Sequence, residues 1–418
     1  MSFPVNKAGP IAKVTPAAAE ASQTEEASVN HATSINSEPS CTHDQAATHD
    51  QAGTHDQAGT HDQAGTHDQA GTRAMGSGLG TGSKLLDRFG RVHTSLRISV
   101  TDRCNIRCFY CMPADDVIFL PRESLLTFEE IVRVARLLVG VGIRDVRLTG
   151  GEPLVRRELD RLVAMLVEID GIEDLALTTN GMLLSEQAQS LRRAGLKRIN
   201  ISLDTLNEEA FRKITRREGL DRVLGGVDAA IDAGFDSIRL NALAIRDLTE
   251  PEVIPLVEFA IARGLTMRFI EYMPLDAERR WRADRVLSGD EIMARLEGHF
   301  GGLRPVAPPH LSQPARDYEL VDRPIGRDGR LPRVGLIRPV SEPFCGACDR
   351  IRLTAEGTIR NCLFSHQEWD LRGLLRGGAG DDEIVNAVAS AVFAKGPGHL
   401  ISQIGFTQPE RPMFRIGG

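Results

Sequence analysis

The chain has 418 residues, of which 41% are hydrophobic and 5% aromatic, and its formal net charge is −7. Seven cysteines in that length are too few for a disulfide framework, and six of them fall into two tight groups, which fits metal ligation in a reducing compartment rather than secretion. The acidic balance and scarce aromatics speak against a nucleic-acid module, and no apolar run has the length of a signal peptide or a membrane span. The chain therefore reads as cytoplasmic, with no membrane or nucleic-acid partner.

Residues 1–83 form the first region. Five copies of a six-residue unit begin at Thr42, Thr48, Thr54, Thr60 and Thr66, reading Thr-His-Asp-Gln-Ala-Ala once and Thr-His-Asp-Gln-Ala-Gly four times. So little apolar surface cannot offset the entropy of ordering, so this region is expected to be a disordered, low-complexity tail. The five histidines of the repeats could bind a metal weakly, but six residues apart on a floppy chain they form no preorganised site. Arg and Lys are scarce in it, unlike a mitochondrial presequence, and Cys41 receives no role. Part of the net charge is the tail's own.

From residue 84 the texture becomes strand-helix alternation. Strands are predicted at 95–100, 145–149, 174–179, 198–203, 237–243 and 267–272. Amphipathic helices are predicted at Phe128–Leu138, Leu159–Ile169, Ser185–Ala194, Glu208–Ile214 and Val253–Ala262. Thr127 or Ser185 could serve as N-cap, with Gly140, Gly195, Gly234 and Gly264 as terminators. Repeated strand-helix units imply an α/β fold with a parallel sheet. Six of them suit an open, partial TIM-type barrel over 84–320, followed by a C-terminal α+β extension over 321–418. Several strands carry polar residues two apart: Arg147 and Thr149, Thr178 and Asn180, Asn200, Ser202 and Asp204, Arg239 and Asn241. Period-two alternation puts each set on one face, and that face is expected to line a wet, partly cationic lumen.

Two cysteine groups carry the chemistry. The first is Cys104-Asn-Ile-Arg-Cys108-Phe-Tyr-Cys111. Three thiolates without a fourth ligand nearby suit a 4Fe–4S cluster with one iron open to a small molecule better than a closed zinc site. Gly150-Gly151-Glu152-Pro153 follows the second strand, where a glycine pair lets backbone approach a ligand and leaves N–H and C=O groups to grip an amino acid. The second group is Cys345-Gly-Ala-Cys348, with Cys362 fourteen residues on. His366 could complete a zinc site there; otherwise this is a second iron-sulfur cluster with its own open iron. Two incomplete clusters in one chain suggest that the two have separate tasks, one of them to hold substrate.

The Cys-x3-Cys-x2-Cys spacing, with Tyr110 before its last cysteine, resembles the radical S-adenosylmethionine enzymes. The resemblance implies a 4Fe–4S cluster that binds S-adenosylmethionine and yields a 5′-deoxyadenosyl radical. It implies that Tyr110, Gly151, Ser202 and Met273 line the cofactor site. Over roughly residues 84–418 the chain further resembles the GTP 3′,8-cyclase family of molybdenum cofactor biosynthesis. The carrying stretches are Leu-Arg97-Ile-Ser-Val-Thr-Asp-Arg-Cys104, Val-Arg147-Leu-Thr-Gly-Gly151-Glu-Pro, Leu-Thr178-Thr-Asn-Gly, Cys345-Gly-Ala-Cys348-Asp-Arg-Ile-Arg and the terminal Gly417-Gly418.

This second resemblance implies two 4Fe–4S clusters, the C-terminal one binding the guanine base of GTP. Arg97, Arg147, Thr178, Arg239, Arg268 and the segment Arg350, Ile351 and Arg352 would contact the nucleotide. Arg239 stands where the family often has Lys, and Arg268 has the opposite parity from Met273, so both can face the lumen only past a bulge or a strand end. The Gly417-Gly418 tail would thread toward the active site, and Arg350 or Arg352 would donate to an intermediate.

The implied reaction takes the 3′ hydrogen of the ribose, joins C3′ to C8 of guanine and reduces the closed product to 3′,8-cyclo-7,8-dihydro-GTP. An external one-electron reductant, a homodimer and a downstream cyclic pyranopterin monophosphate synthase are implied by the same resemblance. The alternatives are a radical S-adenosylmethionine enzyme that modifies a peptide, a non-catalytic iron-sulfur carrier and a zinc-binding nucleic-acid module. Arginine-rich strands suit a polyphosphate better than any of these.

Overall fold

The structure, a computed structural model, describes residues 84–326, 329–401 and 403–417. The repeat tail with Cys41, and Gly418 at the C-terminus, lie outside the described residues.

Each of the six strands predicted from the sequence is present within one residue of its expected limits: β1 (Ser95–Ser99), β2 (Asp145–Thr149), β3 (Asp174–Thr179), β4 (Arg198–Ser202), β5 (Ser237–Ala244) and β6 (Thr266–Glu271). They pair in parallel in chain order. The C-terminal region adds a parallel strand at either end: β9 (Arg333–Ile337) beside β6, and β10 (Arg350–Leu353) beside β1. Antiparallel strands flank these, β8 (Ala315–Leu320) and β7 (Leu303–Pro305) on one side, β11 (Thr358–Arg360) and β12 (Trp369–Asp370) on the other. The order is β12-β11-β10-β1-β2-β3-β4-β5-β6-β9-β8-β7, and the ends do not meet. This is the open, partial barrel expected. One sheet runs through both regions that the sequence suggested.

The helices on the outer face are α1 (Phe128–Gly140), α2 (Leu159–Val167), α3 (Leu184–Arg193), α4 (Glu208–Thr215), α5 (Leu220–Asp232) and α6 (Val253–Ala262). Alternation sorts the strands: Leu96, Ile98, Val146 and Leu148 are at most 1% exposed and belong to the main hydrophobic cluster with the helices, whereas their neighbours Arg97 and Arg147 line the lumen. Thr127 caps α1 in a reciprocal box, its Oγ1 accepting from Glu130 N at 3.1 Å while Glu130 Oε2 accepts from Thr127 N at 2.7 Å.

Three local expectations are corrected. Ser185 lies inside α3, which begins one residue earlier without a side-chain cap, and α1 runs through Gly140, leaving Gly142 to take the left-handed turn at φ 106°. Helix α5 is absent from the sequence expectation, because Gly225 and Gly226 interrupt its apolar pattern. Gly226 is there for space: a Cβ would stand 2.5 Å from the Gly181 carbonyl. Beyond the arc lie α7 (Gly289–Phe300), α8 (Leu371–Arg376), α9 (Asp381–Phe393) and the terminal turn α10 (Met413–Ile416). No helix among the described residues is long and apolar enough to cross a membrane.

Candidate active site

A cavity of about 610 Å3 fills the barrel interior, and every polar strand pair assigned to the lumen from the sequence lines it. The cations form a band. Parallel pairing puts Arg352 of β10, Arg97 of β1 and Arg147 of β2 side by side, with Arg239 and Arg268 further around the arc. The guanidinium groups of Arg97, Arg147 and Arg239 make no hydrogen bond or ion pair among the described residues. Burial, then Arg97 and Arg198, lowers Arg147 to about 9; burial, then Arg268 and Arg198, does the same to Arg239. Arg97 is also lowered, by burial and then by Arg352 and Arg350. Asp174, Asp317 and Asp349 act on these cations only at longer range, without an ion pair, so neighbouring guanidinium groups depress one another.

Arg268 is different. Its Nη2 donates to Asp317 Oδ2 at 2.9 Å, and it reaches the lumen together with Met273 because β6 ends at Glu271, two residues before Met273. Arg198 also lines the cavity, and sequence reasoning misses it. The signal is available, since it shares the parity of Asn200 and Ser202, but it is paired, Nη1 donating to Asp174 Oδ2 at 2.6 Å. Asp145 and Asp174 add carboxylates to the same wall.

The first cysteine group occupies the loop after β1, at the C-terminal rim. Cys104, Cys108 and Cys111 all border the cavity. The loop is tied down by Arg107 N donating to the Thr215 carbonyl at 2.8 Å and Phe109 N to the Ile214 carbonyl at 3.1 Å, both at the end of α4. Burial, then Glu152, pushes the Cys104 thiol up to about 11; burial raises Cys108 and Cys111 as well, each helped by neighbouring thiols of the group. Such thiols are neutral near pH 7, and a bound cationic centre favours their thiolate form.

The glycine pair serves this loop. A Cβ on Gly151 would stand 2.5 Å from the Arg103 carbonyl oxygen, and one on Gly150 would stand 2.6 Å from that of Thr101. Gly151 N and Glu152 N donate to the Thr101 and Arg103 carbonyls at 2.8 Å each, so those N–H groups hold the cysteine loop and are not free to grip a ligand, contrary to the expectation. Gly151, Ser202 and Met273 nonetheless line the cavity. So does Tyr110, whose hydroxyl donates to Asp204 Oδ2 at 2.7 Å.

The second group approaches from the opposite rim, because Cys348 precedes β10. Arg350 lines the cavity and its Nη2 donates to Cys348 Sγ at 3.3 Å. Burial pushes the Cys348 thiol up, but Arg350 and then Lys395 more than offset it and hold it at about 6. Cys345 feels both Cys362 and Cys348, so the three thiols are close. Ile351 is fully buried in the main hydrophobic cluster, on the face away from the lumen, so its side chain contacts no ligand. Arg352 donates through Nη1 to the Gly417 carbonyl at 2.5 Å, which makes it a tether for the tail. Gly417 itself packs on Ser99 and Thr149. His366 Nε2 meets Thr407 Oγ1 at 3.3 Å.

The six described cysteines are free thiols. Among the described residues no three His, Cys, Asp or Glu converge tightly enough for a single metal ion. Two cysteine triplets, each close enough to perturb its own members, fit a cluster, where each thiolate binds a different iron.

Residues 98–260 match the Radical SAM superfamily, and residues 265–401 match Molybdenum Cofactor Synthesis C. The GTP 3′,8-cyclase of Rhodopirellula baltica is 56% identical over 335 residues, covering 80% of this chain and 92% of the relative. That of Corynebacterium glutamicum strain ATCC 13032 is 45% identical, covering 80% and 89%, and that of Mycobacterium sp. strain KMS is 46% identical, covering 82% and 96%. A solved structure of Streptococcus suis SuiB bound to S-adenosylmethionine aligns with a TM-score of 0.48 at 15% identity over 77% of each chain. The superfamily implies a 4Fe–4S cluster and S-adenosylmethionine. The chain is a radical S-adenosylmethionine enzyme and belongs to the GTP 3′,8-cyclase family.

Proposed function

We propose that the protein converts GTP to (8S)-3′,8-cyclo-7,8-dihydroguanosine 5′-triphosphate at the start of molybdenum cofactor biosynthesis. The observation that carries this reading is the band of lumenal arginines. Arg97, Arg147 and Arg239 sit in a largely buried lumen without a partner among the described residues, and a triphosphate supplies the missing charge. Thr178 and the paired Arg268 border the same space.

Cys104, Cys108 and Cys111 would hold the cluster that, with S-adenosylmethionine bound, supplies a 5′-deoxyadenosyl radical. Tyr110, Gly151, Ser202 and Met273 shape the cofactor end of the cavity. Cys345, Cys348 and Cys362 would hold a second cluster facing the base. In this reading the protein's own residues fix the triphosphate so that the ribose lies at the rim of the first cysteine group, and the Gly417-Gly418 tail assists radical formation or the chemistry after it. Arg350 contacts Cys348 and borders the lumen, which supports a role in orienting the base. An external one-electron reductant, a homodimer, a downstream cyclic pyranopterin monophosphate synthase and a cytoplasmic location complete the reading.

The test is anaerobic turnover of the cluster-reconstituted protein with GTP, S-adenosylmethionine and dithionite. The assays are 5′-deoxyadenosine and fluorescent pterin after acid treatment and oxidation of the product. Wild type should give both products, and Cys345→Ser should give no pterin. Deoxyadenosine without pterin from wild type would overturn the substrate assignment.

A further inference from the structure

Lys395, just beyond α9, is 3% exposed. An ammonium has three donors and its burial is costly without an anion. Here Nζ donates to the Arg350 carbonyl at 2.8 Å and to Cys348 Sγ at 3.4 Å, and it meets His93 Nε2 at 3.0 Å. The His93 ring is a neutral acceptor by elimination: its Nδ1 must carry the proton to donate to the Arg91 carbonyl at 3.1 Å, leaving the Nε2 lone pair for Lys395. No described carboxylate makes an ion pair with Lys395. The nearest acid in the chain of contacts is Asp87, 3.8 Å beyond His93 Nε2 and already paired with Arg91 at 2.5 Å. The anions among the described residues that act on Lys395 are therefore cysteine sulfurs, Cys348 in contact and Cys362 beyond it. Asp87, Arg91 and His93 precede β1, α9 lies near the C-terminus, and both meet at Cys348.

We propose that Lys395 is a positioning residue for the second cluster: it orients Cys348 through the sulfur and the Arg350 carbonyl, and its fixed charge makes that cluster easier to reduce. The inference rests on the second-cluster reading of Cys345, Cys348 and Cys362. A reduced cluster carries one more negative charge than an oxidised one, and hydrogen bonds to its sulfurs raise its potential. Hydrophobic filling would be met by Leu or Met and would leave the potential unchanged.

The experiment uses the full chain with Cys104, Cys108 and Cys111 all replaced by Ala, so that the first cluster cannot form. Lys395→Met, Lys395→Gln and Lys395→Arg are made in that background. Iron is counted, and reduction is followed by electron paramagnetic resonance in a mediated titration. Lys395→Met should shift the one-electron equilibrium at least tenfold toward the oxidised cluster, about 59 mV, with Lys395→Arg close to the parent. Lys395→Gln keeps a donor without charge, should shift in the same direction, and carries the measurement if Lys395→Met does not fold. Parent-like equilibria in the neutral variants overturn the proposal while leaving the second cluster standing. A parent that takes up no iron removes the second cluster itself, and the proposal with it.

Discussion

Replacing Gly417 by Ala tests how the C-terminus is held in the barrel. The residue has φ 79°, and a Cβ there would stand 2.6 Å from Thr149 Oγ1 and 2.9 Å from Ser99 Cβ. Both side chains are 1% exposed and their residues are paired across β1 and β2, so neither can swing aside. The backbone at φ 79° and ψ 118° alone costs an alanine roughly 1 kcal/mol. The overlap with Thr149 and Ser99 adds about 2 kcal/mol of overpacking to the docked state, whereas the hydrogen bond from Arg352 to the Gly417 carbonyl is lost on lifting in wild type and variant alike and cancels. Together about 3 kcal/mol lowers the docked population about 100-fold relative to the lifted one. Hydrogen exchange of Phe414–Gly417 reads this directly, because Gly417 N is protected by the Met413 carbonyl at 3.0 Å and Phe414 and Ile416 are buried. These amides should exchange about 100-fold faster, with the sheet amides unchanged and turnover falling in parallel. Wild-type protection in the variant would refute the reasoning, since it would mean that strands and tail absorb the methyl without undocking.

Arg147→Met removes one of the unpartnered lumenal cations and should weaken GTP binding by about 10- to 100-fold, as expected for a lost charge-assisted contact, with S-adenosylmethionine binding intact; equal GTP affinity by anaerobic equilibrium dialysis would count against the anion band. Gly151→Ala forces a methyl against the Arg103 and Asp102 carbonyl oxygens at 2.5 and 2.7 Å, so the reconstituted protein should lose about half its iron relative to wild type, and a full complement would show that the cysteine loop can yield. His93 is lowered to about 4, by burial first and then by the Lys395 ammonium. A depressed histidine leaves stability intact above its unfolded value near 6.5 and erodes it as pH falls toward 4, because only the unfolded chain takes up the proton there. From pH 7 to 5 that erosion is about 2 kcal/mol by this linkage; in urea unfolding of the cluster-free protein His93→Gln should lack it, and an unchanged slope would place the acid sensitivity elsewhere.

The barrel core was legible because its signals are local. Strands such as Asp145–Thr149 alternate Val146 and Leu148 with Asp145, Arg147 and Thr149, and period two alone separates helix-facing from lumen-facing side chains. The illegible part is long-range. Nothing in Arg333–Ile337 or Arg350–Leu353 announces that these strands extend the sheet beside β6 and β1. Without that pairing, Arg352 looks like one more phosphate ligand rather than a tether for Gly417. Arg97 and Arg198 have similar sequence neighbourhoods, yet only Arg198 has a carboxylate, Asp174, at 2.6 Å. Lys395 carries no signal in the sequence, because a lysine after a helix usually points to solvent. Only folding brings it to His93 and Cys348.

The parallel pairing of β10 with β1 explains why two cysteine groups in one chain need not compete for one place. In a parallel pair, the segment after one strand and the segment before the other lie at opposite rims. Cys104 comes after β1 and Cys348 before β10, with Arg97 and Arg352 in register between them. Five residues of β1 span roughly 17 Å at about 3.4 Å each, a length suited to one extended nucleotide. In the proposed reading, a nucleotide anchored by its base at one rim would present its sugar toward the other, with the lumenal arginines along the wall to meet its phosphates. Either cysteine group alone would leave the ligand free to slide along a polar lumen. Anchors at both ends remove that freedom before the chemistry starts, which is where an enzyme relying on a reactive radical gains most from its protein.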